Sequence, residues 1–260
     1  MRIALGIEYD GAPFYGFQTQ KQEPTVQSSL EAAISQVANH PVKVFCAGRT
    51  DTGVSAACQV VHFDSSASRT ERQWTLGINT HLHKGVGVLW AKQVSDDFHA
   101  RFSALERRYL FRVLVRRPPA THQAGRVWQV KKPLDIDRMR EAATHLIGEH
   151  DFTTFRSTIC QAQTPVKTLD RVDMTEHPVG GGVEVQFDVR ARSFLHNQVR
   201  SIVGTLERVG AGSFAPDDVK QMLAARDRQA CGPVAPPQGL YLSHVTYETD
   251  PFAQSSLRRG

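Results

Sequence analysis

The chain has 260 residues, 40% of them hydrophobic and 22% charged, with a formal net charge of +5. That length suits one large domain or two small ones with a real core, and the composition is that of an ordinary soluble globular protein. No apolar run approaches the roughly 20 residues that span a bilayer, and MRIALGIEYDG meets Glu8 and Asp10 where a signal peptide would be apolar, so a cytoplasmic protein with no membrane partner is expected.

The first half parses into alternating elements. Arg2 to Tyr9 alternates Ile3, Leu5 and Ile7 and predicts a strand. The loop DGAPFYGFQTQKQEP follows. Thr25 is placed to cap a helix with the apolar stripe Val26, Leu30, Ile34 and Val37. Pro41 to Ala47 predicts a second strand and, after the loop GRTDTGVS, Cys58 to Asp64 a third. Ser68-Arg69-Thr70-Glu71 has the pattern of a capping box opening another helix. Gly87 to Val94 is the fourth strand, giving the order βαββαβ.

The second half repeats that order. Arg108 to Arg116 alternates Tyr109, Phe111, Val113 and Val115 on one face. Asp135 is placed to cap a helix carrying Ile136, Met139, Ala143, Leu146 and Ile147. Strands are predicted near Leu169 to Thr175 and Val183 to Val189. An amphipathic helix then carries Leu195, Val199, Ile202, Val203, Leu206 and Val209, ended by Gly210. A short helix after Pro216 and a strand from Leu240 to Glu248 complete the pattern.

The fold class expected is therefore α+β. Two ferredoxin-like βαββαβ units, 1–105 and 106–250, join near Ser103 to Glu106, and a frayed tail occupies 251–260. Helices on one face of mostly antiparallel sheets would leave the other face open, forming a broad surface with a central basic cleft.

The chemistry-bearing residues are few. Cys46, Cys58, Cys160 and Cys231 have no C-x-x-C spacing and read as reduced thiols. His81 and His83 are a close pair without Cys or carboxylate partners, a poor metal site. Arg101, Arg107, Arg108, Arg112, Arg116 and Arg117 crowd one stretch with Phe102, Tyr109 and Phe111 between them. Interleaved cations and rings suit looped RNA, and they suit a solvated strand face equally well.

Gly48 to Ser55, GRTDTGVS, comes within one residue of the phosphate-binding pattern G-x-x-x-x-G-K-[ST]. Val54 stands where the Lys should be, a strand follows where a helix is needed, and Asp51 would set a negative charge among phosphates. Nucleotide binding is thus rejected. What remains is a loop holding Arg49 and Asp51 between Gly48 and Gly53. Asp51 there is either an ordinary Asx-turn residue or a carboxylate kept ionised by a nearby guanidinium and usable as nucleophile or base.

Several ordered stretches are similar to the TruA-type tRNA pseudouridine synthases: YDGAPFYGFQTQ (Tyr9 to Gln20), AGRTDTGVSAACQVVHF (Ala47 to Phe63), FHARFSALERRYLFRV (Phe98 to Val113), FLHNQVRSIVG (Phe194 to Gly204) and APPQGLYL (Ala235 to Leu242). The resemblance covers almost the whole chain. It implies isomerisation of uridine to pseudouridine at positions 38, 39 and 40 of the tRNA anticodon stem-loop, by a homodimer that needs no cofactor and no metal. It implies Asp51 as the catalytic aspartate, paired with Arg49, which helps extrude the target nucleotide. It implies Tyr109 stacked on the flipped uracil, Arg200 as a second cation near Asp51, and Leu240 packed against the base. On the helix expected here, His196 and Arg200 share a face. The chain departs from the family pattern at Ser55, often His, and at Phe111, often Tyr.

Two other classes compete. A non-catalytic RNA-binding module of RRM-like topology has the same βαββαβ order. It needs an aromatic strand motif that FYGFQTQ, in a predicted loop, only imitates. A nucleosidase or glycosidase commonly needs two placed carboxylates, and none accompanies Asp51.

Overall fold

A computed structural model describes residues 1–21 and 23–248. The expected tail 251–260 lies outside the described residues. The protein is α+β and its strand pairings are mostly antiparallel. It divides into two compact units: Met1–Arg107 with the described chain from Leu242 on, and Arg108–Tyr241.

In the first unit β1 (Arg2–Tyr9) is followed by α1 (Val26–Ala38), β2 (Phe45–Cys46), β3 (Ser55–Asp64), α2 (Glu71–His81) and β4 (Val86–Val94). β1 pairs antiparallel with β3 on one side, Leu5 opposite Val61, and with β4 on the other, Leu5 opposite Ala91. Ile3, Leu5 and Ile7 alternate as predicted. Ala4 is buried too, and Trp90 lies over β1 at Gly6. The sheet face expected to be open is therefore covered at its centre.

Local signals placed the helices, with corrections. Thr25 caps α1 reciprocally with Ser28, satisfying two orphan donors of the first turn. α2 is capped by Thr70 with Gln73, not by Ser68 with Glu71. The strand expected over Pro41 to Ala47 shrinks to Phe45–Cys46 because α1 takes its backbone groups. Val42 N–H donates to Ser35 Oγ and Val44 N–H to Glu31 Oε1, both at 3.0 Å, and Gln27 Nε2 donates to the Val44 carbonyl.

The second unit takes its first strand from β5 (Ala104–Val115), then has β6 (Trp128–Val130), α3 (Ile136–Thr144), β7 (Gly148–Asp151), β8 (Val166–Val179), β9 (Gly182–Ala191), α4 (Gln198–Gly210) and α5 (Asp218–Ala225). Its sheet order is β5-β9-β8-β7, with β6 parallel to β5. β6 and β7 were not anticipated. Asp135 caps α3 by accepting from Arg138 N–H. The chain crosses between units within β5 and returns within β10 (Leu240–Tyr247), whose residues from Leu242 lie beside β3 in the order β4-β1-β3-β10.

α4 begins later than expected. Asn197 is its N-cap in the left-handed conformation, so His196 precedes the helix and shares no helical face with Arg200. Among the described residues no helix is long and apolar enough to cross a membrane.

Candidate active site

Asp51 occupies the connection from β2 to β3. A strand, not a helix, follows it, as the rejection of a phosphate-binding loop required. Val54 N–H donates to the Asp51 carbonyl at 3.1 Å, closing a four-residue turn with Gly53 at its third position. Gly53 has φ of 77°, a conformation that L side chains with a Cβ avoid. Asp51 is half-buried at the head of this turn and Arg49 is exposed two residues before it.

This loop and its flanks are held by five residues from elsewhere in the unit. Tyr9 Oη and Thr50 Oγ1 are 2.8 Å apart in the interior. Phe17 N–H donates to the Thr50 carbonyl at 3.0 Å, and Gly11 N–H to Ser55 Oγ at 3.0 Å. Gln59 returns from β3 to clasp Gly48, its Nε2 donating to the carbonyl at 2.6 Å and its Oε1 accepting the N–H. Arg107, buried on β5, donates to the carbonyls of Ala47 at 2.8 Å, Arg101 at 2.5 Å and Ala104 at 3.3 Å.

This accounts for the aromatic, glycine-rich stretch after β1. Phe14 and Phe17 are buried in the core, whereas Tyr15 is 48% exposed. Gly16 has φ of 81°, and a Cβ built there would lie 2.9 Å from the Thr50 carbonyl oxygen, so a side chain would push on the loop that carries Asp51. Tyr9, Gln59 and Arg107 were not anticipated as supports. The one available signal was the density of Gly and aromatic residues in YDGAPFYGF. Ser55, a departure from the family pattern, is used internally by Gly11.

Burial pushes the Cys46 thiol up to about 12, so that side chain stays a protonated thiol. All four cysteines are free. His83 accepts Gly85 N–H on Nδ1 and packs edge-on against Phe14. Among the described residues no group of three or more His, Cys, Asp or Glu side chains is placed to hold a metal ion.

In the second unit Tyr109 is buried on β5, with Phe194 edge-on at 5.1 Å between centroids and 89° between planes. Phe111 is fully buried against Trp128, so the hydroxyl absent at that departure would sit in the core. Arg200, in the first turn of α4, is anchored by its own helix cap. Its Nη1 donates to Asn197 Oδ1 at 2.9 Å, and its Nε to the Ala235 carbonyl at 2.8 Å. Ala235 N–H in turn donates to the Arg200 carbonyl. Leu240 is buried, its N–H closing a turn on the Pro237 carbonyl.

Of the two readings the sequence left open for the arginine-rich stretch, much of it proves to be engaged within the protein. Arg108 pairs with Asp188 at 2.8 Å, and Arg112 meets Glu184 bidentately at 2.8 Å. Arg116 donates to the carbonyls of Pro118, Pro119 and Gly180. The Arg112 hydrogen bonds hold the Glu184 carboxyl below its ordinary value against the opposing effect of burial. The reason is alternation. Residues on one face of β5 enter the core, and those on the other meet acids on β9.

A family model described as tRNA pseudouridine synthase matches residues 6–103 and 142–248. The chain belongs to the tRNA pseudouridine synthase family. Curated tRNA pseudouridine synthases A resemble it over nearly their full length. That of Dinoroseobacter shibae is 59% identical over 96% of this chain and 98% of its own. That of Roseobacter denitrificans is 58% identical over 96% and 97%, and that of Paracoccus denitrificans 56% identical over 98% and 99%. In this tRNA pseudouridine synthase chain the matched segments contain Asp51 with its supports Tyr9, Phe17 and Gln59, and also Arg200 and Leu240. Tyr109 lies between the two matched segments.

Proposed function

We propose that this chain isomerises uridine to pseudouridine in tRNA, at positions 38, 39 and 40 of the anticodon stem-loop, with Asp51 as the reacting carboxylate. Membership of the tRNA pseudouridine synthase family supports the reaction class. The observation that carries the assignment of Asp51 is the bracing of its turn by Tyr9, Gly11, Phe17, Gln59 and Arg107. An Asx-turn needs no such scaffold, whereas a reacting group must be held in one geometry.

The reaction balances within the substrate. The N1–C1′ bond breaks, the C5–C1′ bond forms, C5 loses a proton, and N1 of the released ring ends protonated. A carboxylate can serve as nucleophile or as base in this sequence. Arg49, exposed on the same loop, is assigned to extrusion of the nucleotide, which costs a few kcal/mol of stacking. Tyr109, Arg200 and Leu240 are assigned to the same reaction by the family resemblance. Each has a feature that fits: a ring fixed by Phe194, a guanidinium anchored by Asn197, and an apolar side chain delivered by a tight turn.

The same kinship extends the proposal to a homodimer working in the cytoplasm, and to ferredoxin-like architecture in the domains 1–105 and 106–250. The order β4-β1-β3 with α1 and α2 as connections supports that architecture in the first.

The test is tritium release from tRNA carrying tritium at uracil C5. Wild-type protein should release it with the base still attached to RNA. Asp51→Asn should abolish release while tRNA binding persists. Release by Asp51→Asn at the wild-type rate would remove Asp51 from the mechanism, and an abasic product would make the protein a nucleosidase.

A further inference from the structure

With Arg107, Arg108, Arg112 and Arg116 engaged internally, the start of that stretch stays in solvent. Phe102 is 71% exposed and Phe45, on β2, is 42% exposed. They belong to one chain of rings. His99 lies 5.8 Å from Phe45 and 4.4 Å from Phe102, centroid to centroid, and Phe45 stacks on His62 at 5.2 Å and 22°. Single exposed apolar residues need no explanation. Two exposed phenylalanines linked through imidazoles form a surface of aromatic faces.

Both ends of that surface carry cations. Lys43 Nζ is 5.7 Å from the Phe45 centroid, and the Arg101 guanidinium carbon is 5.6 Å from that of Phe102. Among the described residues neither Lys43 nor Arg101 enters an ion pair. The charged groups that act on His99 are also cations, Arg2 and Arg101; after burial, the larger influence, they lower its proton affinity below that of an ordinary imidazole.

The backbone beneath is already ordered. His99 Nδ1 accepts the N–H groups of Arg101 and Phe102, His99 N–H donates to Ser103 Oγ, Ser103 N–H donates to the His99 carbonyl, and Ala100 N–H donates to His62 Nδ1. Little conformational entropy remains to be lost when a ligand lands on these rings.

We propose that Phe45 and Phe102, flanked by Lys43 and Arg101, are a stacking platform for unpaired bases of the tRNA substrate, apart from the residues assigned to the reaction. The inference rests on tRNA being the substrate. Flat π-faces bordered by uncompensated positive charge match bases joined by phosphates. A second copy of the chain fits less well. A stable protein interface buries about 800 Å² per partner, and this surface is two rings wide with cations on its rim.

The experiment measures tRNA affinity and initial rates for Phe102→Trp, Phe102→Leu, Phe102→Ala and Arg101→Ala, with the oligomeric state of each followed by sedimentation. A photoreactive phenylalanine analogue at position 102 maps contact directly. Loss of base stacking predicts roughly 5- to 100-fold weaker binding for Phe102→Leu and Phe102→Ala. KM should rise, kcat at saturating tRNA should hold, and Phe102→Trp should restore affinity. Crosslinks should fall on loop nucleotides other than the isomerised uridine. Leu serving as well as Phe, absence of any crosslink, or a change of oligomeric state in Phe102→Ala would overturn the platform, the last in favour of a second copy. Should wild-type protein bind tRNA yet release no tritium, the isomerase reading fails, while affinities and crosslinks still decide the platform.

Discussion

Replacing Arg107 by Met separates two incompatible views of the arginine-rich stretch. As a phosphate contact, Arg107 would contribute binding and little else. In the structure it is buried and donates to the carbonyls of Ala47, Arg101 and Ala104. Charged hydrogen bonds contribute about 1.5–3 kcal/mol each, so three sum to roughly 4–9 kcal/mol gross. Removing the guanidinium also returns several kcal/mol of its desolvation cost. A net destabilisation of about 2–4 kcal/mol is expected. At about 2–4 °C per kcal/mol for a chain of this size, Tm should fall by roughly 5–15 °C. Because Ala47 leads into the loop of Asp51, tritium release under single-turnover conditions should fall by about 10- to 100-fold, the upper figure being the scale of a misplacement near 1 Å. Affinity for tRNA and its salt dependence should stay near wild type. The assay combines thermal unfolding, single-turnover release below the new Tm, and tRNA binding across a salt series. A variant with unchanged Tm, unchanged kcat and a salt slope reduced by about one would show that Arg107 touches phosphate, and the account of the braced loop would be wrong.

Other expectations follow from the same contacts. Gly16→Ala should cost about 1–2 kcal/mol for the left-handed conformation and should lower kcat more than it raises KM, since the added Cβ meets the Thr50 carbonyl; an unaltered kcat would uncouple that loop from Asp51. Glu184 is held below its ordinary carboxyl value by Arg112, so its contribution is present above the unfolded value near 4.5 and is lost as pH falls through the folded one. Glu184→Gln should therefore be less stable at pH 7 and lose less stability between pH 5 and 3 in thermal unfolding; parallel pH profiles would contradict this. His62 is lowered from 6.5 to about 4, chiefly by burial. Between those values the unfolded chain binds the proton and the folded one does not, so stability falls as pH drops from 6.5 towards 4. His62→Gln, which can still accept Ala100 N–H, should flatten that slope, and an unchanged profile would place the titration elsewhere.

Local features of the sequence were enough for β1, α1 and the caps at Thr25 and Asp135, because hydrophobic period and N-cap chemistry act within a few residues. They also excluded a nucleotide-binding loop, since a missing Lys and a following strand are sequence facts. Local spacing misplaced the α2 cap and the start of α4. At α2 the Gln73 side chain gave Thr70 a reciprocal cap, and at α4 the left-handed backbone of Asn197 set the start of the helix. The fate of the arginines was not local at all. Whether Arg107, Arg108 or Arg112 meets water depends on the face of β5 each occupies and on Asp188 and Glu184, more than 70 residues onward. The same holds for Asp51. Its identity is written in one loop, but its rigidity comes from Tyr9, Phe17, Gln59 and Arg107. These reach it only after the sheet has formed, because backbone hydrogen bonds join residues that are neighbours in space and distant along the chain.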